Sequence, residues 1–194
     1  MRELTNIEER ILDRALYLMG INKTCNISIR AIAKEASVNV SAINYYFRTK
    51  DQMLRLVKEF YNENSLSVLS ILKNDEYSDE EKLLLAANEI MEYSLRFPGN
   101  MVITNHSMNL AEKDETSKKV IDLSLEIGNL MRQVLRNLIP GDEANSNYKY
   151  LIFTSSINYP SEYQGIANFW GPLLVERENR MAYLRLLIKS LKSD

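Results

Sequence analysis

The chain has 194 residues, 45% hydrophobic and 26% charged, the balance of a globular protein with a buried core and enough length for one large domain or a small one joined to a medium one. One cysteine (Cys25) and one histidine (His106) exclude an intrachain disulfide and a standard zinc site, and no stretch approaches the roughly 20 apolar residues of a membrane span. The net charge is −2, yet residues 1–50 hold eight basic against five acidic residues, so a front of +3 precedes a remainder of −5, an asymmetry that suits a polyanionic partner for the front alone.

Apolar residues recur at three-to-four spacing along nearly the whole chain and no β-type alternation is sustained, so the fold is expected to be all-α. Thr5-Asn6-Ile7-Glu8 reads as a capping box for a first helix whose apolar stripe (Ile7, Ile11, Leu12, Ala15, Leu16, Met19) stops at Gly20. Ser28 is placed to cap a short second helix with Ile29, Ile32, Ala33 and Ala36. Ser37-Val38-Asn39 then supplies turn residues and a new N-cap for a third short helix to Phe47. Thr49-Lys50-Asp51-Gln52 opens a long helix to about Leu72. Further helices are predicted after the Ser78-Asp79-Glu80-Glu81 cap up to Pro98-Gly99, over Met101–Leu110, and from Val120 to Leu138 before Pro140-Gly141. The last two cover about 146–169, with Pro160 inside, and 173–192. The N-terminal stretch MRELTNIEER has no apolar leader segment, so a soluble, cytoplasmic, metal-free and cofactor-free protein is expected.

The third short helix has an unusual outward face. At 100° per residue, Ile43 and Phe47 share one side with Val40 nearby, while Ser41, Ala42 and Tyr45 take the opposite side with Asn44 and Tyr46 on its flanks. Small residues allow close backbone approach to a groove, Ser and Asn can bond base edges, and the Ala42 methyl can meet a thymine methyl. Tyrosine hydroxyls and Lys50 suit phosphates, and Ser28 at the other helix start can hold a second phosphate. The same pattern also fits Tyr45 and Tyr46 packed on the first helix with Asn44 on an ordinary surface.

The run SIRAIAKEASVNVSAINYYFRTKDQM resembles the helix-turn-helix signature of the TetR family of bacterial transcriptional regulators, over about residues 7–55. Its Ile-Ala-x-x-Ala, Val, Ile/Leu-x-x-Tyr-Phe and Lys-Asp/Glu positions stand in order and spacing. Two positions depart from the family pattern. Ser37 occupies the turn position usually held by glycine and must tolerate a backbone conformation that glycine adopts more readily. Val40 stands where Lys, Gln or Pro is common. The resemblance implies phosphate contacts from Ser28, Tyr46 and Lys50, and places Arg30, Val40, Ser41, Ala42, Asn44 and Tyr45 at or near base edges. Asn39 completes the DNA-binding set at the helix start.

It also implies two domains, a helix-turn-helix unit over 1–50 joined by the long helix to a helical bundle over 51–194 that binds a small-molecule effector and dimerises. The last two helices would form the homodimer, with Leu173, Leu174, Met181, Leu184, Leu187, Ile188 and Leu191 as an apolar face. Phe97, Met101, His106, Met108, Tyr159 and Trp170, in stretches broken by Pro or Gly, are candidates for the effector pocket and favour an apolar or aromatic ligand; an ordinary core role competes for each. The function implied is a dimeric, sequence-specific transcriptional regulator, a repressor released from a palindromic operator by its effector. A helical adaptor that binds a protein partner through the N-terminal three-helix unit is the alternative. An enzyme is disfavoured, since no Gly-rich phosphate loop, nucleophile elbow or paired metal-ligand motif is present and a single histidine leaves little for acid–base work.

Overall fold

The computed structural model describes residues 6–162 and 170–192, and these form helices joined by turns, with no strand among them. Ten helices follow in order: α1 Ile7–Asn22, α2 Ile29–Glu35, α3 Val40–Tyr46, α4 Lys50–Leu72, α5 Asp79–Arg96, α6 Asn100–Met108, α7 Glu115–Leu138, α8 Glu143–Glu162, α9 Trp170–Val175 and α10 Arg177–Lys192. They distribute over two compact units. One comprises Met1–Ser65 with Arg96–Leu123, the other Leu66–Leu95 with Ser124–Asp194. The compact units divide within α4, after Ser65, and not at residue 50, where α4 begins; α6 with the start of α7 belongs to the same unit as α1, α2 and α3.

In the first unit, α1 starts one residue later than the capping box Thr5–Glu8 suggested, because the Asn6 side chain accepts the Glu9 backbone N–H at 2.9 Å. The helix passes Gly20 and ends at Lys23, whose φ of 53° is left-handed. Gly20 has a different task. A Cβ there would lie 2.3 Å from the Pro98 carbonyl carbon, and one on Gly99 would lie 2.3 Å from the Leu16 oxygen, so paired glycines let the Pro98-Gly99 backbone lie directly on α1.

Ile11, Ala15, Leu16, Met19, Ile32, Ile43 and Ile103 are wholly buried, with Phe47 and Met53 nearly so. Each large aliphatic among them contributes about 1.5–3 kcal/mol by leaving water. Phe60 meets Phe97 edge to face at 5.7 Å, and the Tyr61 hydroxyl lies 3.3 Å from Thr104 Oγ1. Such contacts carry the unit beyond residue 50.

The second unit is built on an apolar cluster that includes Leu83, Ala87, Phe153, Ile157, Leu184 and Ile188. Ser78 and Glu81 form the reciprocal cap read from the sequence: Ser78 N–H and Oγ donate to the Glu81 carboxylate at 2.9 and 2.7 Å, and Glu81 N–H returns to Ser78 Oγ.

One feature follows the expectation and one departs from it. Pro160 sits in the last turn of α8 and has no N–H for the Ser156 carbonyl, which instead accepts the Tyr183 hydroxyl of α10 at 2.9 Å. The helix expected over 173–192 is interrupted at Glu176 and becomes α9 and α10. The cause is Arg180, 3% exposed, which donates to the Leu174 and Val175 carbonyls and so satisfies the end of α9 that a continuing helix would have satisfied. The same guanidinium reaches Asn88 Oδ1 at 3.1 Å and Glu92 Oε2 at 2.6 Å on α5.

Candidate nucleic-acid interface

Each end of the α2–turn–α3 segment is fixed by its own side chains. Ser28 Oγ accepts the Ala31 N–H at 3.1 Å to start α2. The turn closes through Ser37 N–H to Lys34 O and Val38 N–H to Ala33 O, with Ser37 at φ 53°, the conformation its replacement of glycine demands. Asn39 Oδ1 accepts from Ala42 N–H at 2.7 Å and Ser41 Oγ at 2.9 Å, which starts α3.

The resulting helix is two-faced. Ile43 and Phe47 are 0% and 1% exposed and anchor it, while Asn39, Val40, Ser41, Asn44 and Tyr45 face solvent and Ala42 and Tyr46 are half-buried. Tyr45, 81% exposed, stands edge-on to the Tyr46 ring with centroids 5.2 Å apart. Val40, placed near the packing side by the helical wheel, is instead exposed, because α3 begins there and has no preceding turn to lean on. The alternative in which Tyr45 packs on α1 does not describe this helix.

Around it lie the exposed cations Arg30, Lys34 and Arg48, and Lys50 opens α4 behind the Thr49 cap. The Lys50 ammonium donates to the Asn26 side-chain oxygen. Asn26 was not singled out from the sequence; the available signal was a polar residue between the buried Cys25 and Ile27, two positions before Ser28.

A second polar cluster lies in the same unit. Lys58, 4% exposed, donates to Asp114 Oδ2 at 2.7 Å and Ser117 Oγ at 2.6 Å, while Asp114 also accepts the Ser117 N–H and hydroxyl and thereby caps α7. The Lys58 bond, then the Ser117 bond, lower the Asp114 carboxyl to about 2. Partial burial, and then the Lys58 charge, push the His106 imidazole below its ordinary range, so it is neutral at pH 7. Both groups border a cleft of about 520 Å³.

The effector candidates do not gather in one place. Phe97 is buried against Phe60, with the Arg96 guanidinium 5.0 Å from its ring centroid. Met101 and Met108 are exposed. His106 borders the cleft just described, whereas Tyr159 borders one of about 450 Å³ in the second unit with Pro160, Leu173, Leu174 and Tyr183. The Trp170 side chain lies outside the described residues, as does 163–169 of the helix expected to reach 169.

The apolar face expected to dimerise is also redistributed. Leu174, Leu184, Ile188 and Leu191 are buried in their own unit's core, and Met181 and Leu187 pack against it; Leu173 alone of that set is exposed. Other exposed large apolar residues nearby are Tyr148, Leu151, Ile152 and Tyr159 on α8, Val175 on α9 and Leu186 on α10.

An exposed α3 face on a buried three-helix support, with Arg30, Lys34 and Arg48 exposed on the same unit, has the form of a helix-turn-helix. The family model for bacterial regulatory proteins of the tetR family matches residues 11–57. Over those residues the chain carries the DNA-binding domain of that family, and over nearly its whole length it has the fold of TetR-family regulators. The nucleoid occlusion factor SlmA of Shewanella baltica is 24% identical over 131 residues, 68% of this chain; the match spans 66% of that relative's length. Among solved structures, a TetR-family transcriptional regulator from Bordetella parapertussis 12822 superposes with a TM-score of 0.69 at 17% identity, covering 97% of this chain and 95% of its own. A TetR-like transcriptional regulator from Rhodococcus sp. RHA1 gives 0.64 at 15%, covering 99% and 100%. Among the described residues no helix is long and apolar enough to cross a membrane, and no three His, Cys, Asp or Glu side chains stand together as metal ligands.

Proposed function

We propose that this regulator is a cytoplasmic homodimeric repressor that holds a palindromic operator and releases it when a small molecule binds. The observation that carries the reading is the α3 face on which Val40, Ser41, Asn44 and Tyr45 are exposed while Ile43 and Phe47 lock the helix from behind. Side chains on that face reach base edges; Ser28, Tyr46 and Lys50 take phosphates, with Arg30, Ala42 and Asn39 beside them. Asn39 and Ser41 bond one another at the helix start, so base contact by Ser41 requires that its hydroxyl turn away from Asn39. A two-fold dimer sets two such helices about 34–36 Å apart, one turn of DNA. The exposed apolar side chains of α8, with Leu186, support α8 as the centre of the dimer contact.

The test is binding to DNA flanking the chain's own gene across a salt series. A dimer making about six phosphate contacts gives a log–log slope near −5. Binding that is weak, equal on all sequences and indifferent to Tyr45→Ala would end the repressor reading in favour of a protein-binding adaptor. The relatives named nucleoid occlusion factors favour one further reading, in which DNA binding serves nucleoid occlusion. Genome-wide mapping separates the two: a few promoter-proximal sites for a repressor, many dispersed chromosomal sites for an occlusion factor.

A further inference from the structure

The cleft of about 520 Å³ in the first unit is lined by the first turns of α4, by His106 near the end of α6, and by Leu110 and Asp114 before α7. Its size is that of a metabolite pocket. Its floor is the buried Lys58 ammonium, which has three N–H donors and two acceptors, Asp114 and Ser117. The third donor has no protein partner among the described residues. Arg55 gives Nε to Glu59 at 3.1 Å, and its two terminal nitrogens have no acceptor among the described residues. The neutral His106 ring and the Gln52 amide add donors, and Leu54 and Leu110 supply apolar wall. On the acidic side, the Asp114 charge is already matched by Lys58, which leaves Asp51 as the one carboxylate of the lining without a cationic partner. Unmet hydrogen-bonding capacity is therefore mostly donor, beside a short apolar surface.

We propose that this cleft binds an organic monocarboxylate, and that its occupation weakens the hold of the unit on DNA. The carboxylate takes the third Lys58 N–H and the free end of Arg55, and the hydrocarbon part lies on Leu54 and Leu110. Asp51 and Gln52 of the lining belong to the same helical turn as Lys50. An added negative charge there opposes the phosphate that Lys50 would hold, and an occupant that joins this turn to α6 resists any adjustment of α4 on the duplex. The second half of the proposal rests on the DNA-binding reading above.

The experiment titrates the full chain, free of DNA, with benzoate and octanoate and with the matching amides and amines, by calorimetry. Saturable binding of the acids, at least about tenfold tighter than the amides, is expected, since a hydrogen bond to a charged group is at stake. Arg55→Gln, at an exposed position, should weaken it by about tenfold, and Leu110→Trp should abolish it by filling the cleft while leaving the Lys58–Asp114 pair in place. Melting temperatures of both variants establish that they fold. DNA affinity at saturating acid should fall by roughly five- to 150-fold in the natural chain and not at all in Leu110→Trp. Acids that bind no better than amides or amines, or binding indifferent to Leu110→Trp, would overturn the site. Unchanged DNA affinity at saturation would overturn its regulatory role. A chain that binds no DNA even without acid removes the DNA-binding reading, and the calorimetry on free protein still decides the site.

Discussion

Tyr45→Ala and Ile43→Ala, two residues apart on α3, should separate recognition from stability. Tyr45 is 81% exposed, with its ring edge-on to Tyr46, so truncation should change folding stability by no more than about 0.5 kcal/mol. Ile43 is fully buried, and the same truncation there should cost about 2–5 kcal/mol. For DNA the order reverses at temperatures where both variants are folded. A hydrogen bond to an uncharged base edge contributes about 0.5–1.5 kcal/mol, so losing one such contact from each subunit of a dimer lowers affinity by about five- to 150-fold. Fluorescence anisotropy at one fixed salt concentration, with thermal melts of the same samples, reads both quantities. Tyr45→Phe, which keeps the ring and removes the hydroxyl, assigns the loss to hydrogen bonding or to ring contact. Tyr45→Ala binding within threefold of the natural chain, at unchanged stability, would refute the assignment of this face to DNA.

Gly20→Ala places a methyl group 2.3 Å from backbone at Pro98, so it should destabilise the first unit by at least about 1–3 kcal/mol and lower the melting temperature. Arg180→Met strands the Glu92 carboxylate, Asn88 and two α9 carbonyls, and urea unfolding should show a loss of about 3–5 kcal/mol. Asp114 has a folded pKa of about 2 against an ordinary 3.8, so its contribution is complete above about pH 4 and lost as pH falls from there toward 2. Asp114→Asn should therefore show a flatter acid limb in stability measured from pH 5 to 2, at lower stability near neutrality because Lys58 loses its partner.

Helices α2, α3, α4 and α5 were legible because each carries its starting chemistry locally: Ser28, Asn39 and Thr49 accept the first free N–H groups of their own helices, and Ser78 with Glu81 does so for α5. The alternation of buried Ile43 and Phe47 with exposed Asn44 and Tyr45 followed from helical period alone. What could not be read is what depends on distant partners. Gly20 looks like a stop in sequence, and only the Pro98-Gly99 backbone lying on it explains why a side chain is excluded. Arg180 looks like one more charge on an amphipathic helix, and only Asn88 and Glu92, about ninety positions earlier, show why it is buried where it can reach the end of α9.

The same distinction explains why the exposed α3 residues predicted from the sequence form one face and the effector candidates scattered. A groove-reading helix presents consecutive residues of one short segment, so its chemistry lies within a single window of sequence. A pocket in a helical protein draws one or two residues from each of several helices, and the residues that mark it are not conspicuous by type. Choosing large aromatic and sulfur side chains beside Pro and Gly therefore selected Phe97, which is core, and Met101 and Met108, which are surface. The polar constellation in the first unit depends instead on Lys58 meeting Asp114 and Ser117 across more than fifty residues, with His106 alone carried over from the sequence reading. A buried lysine held by two acceptors beside an open cleft is a signal of burial, and burial of a charge on an amphipathic helix becomes visible only once its partners are in place.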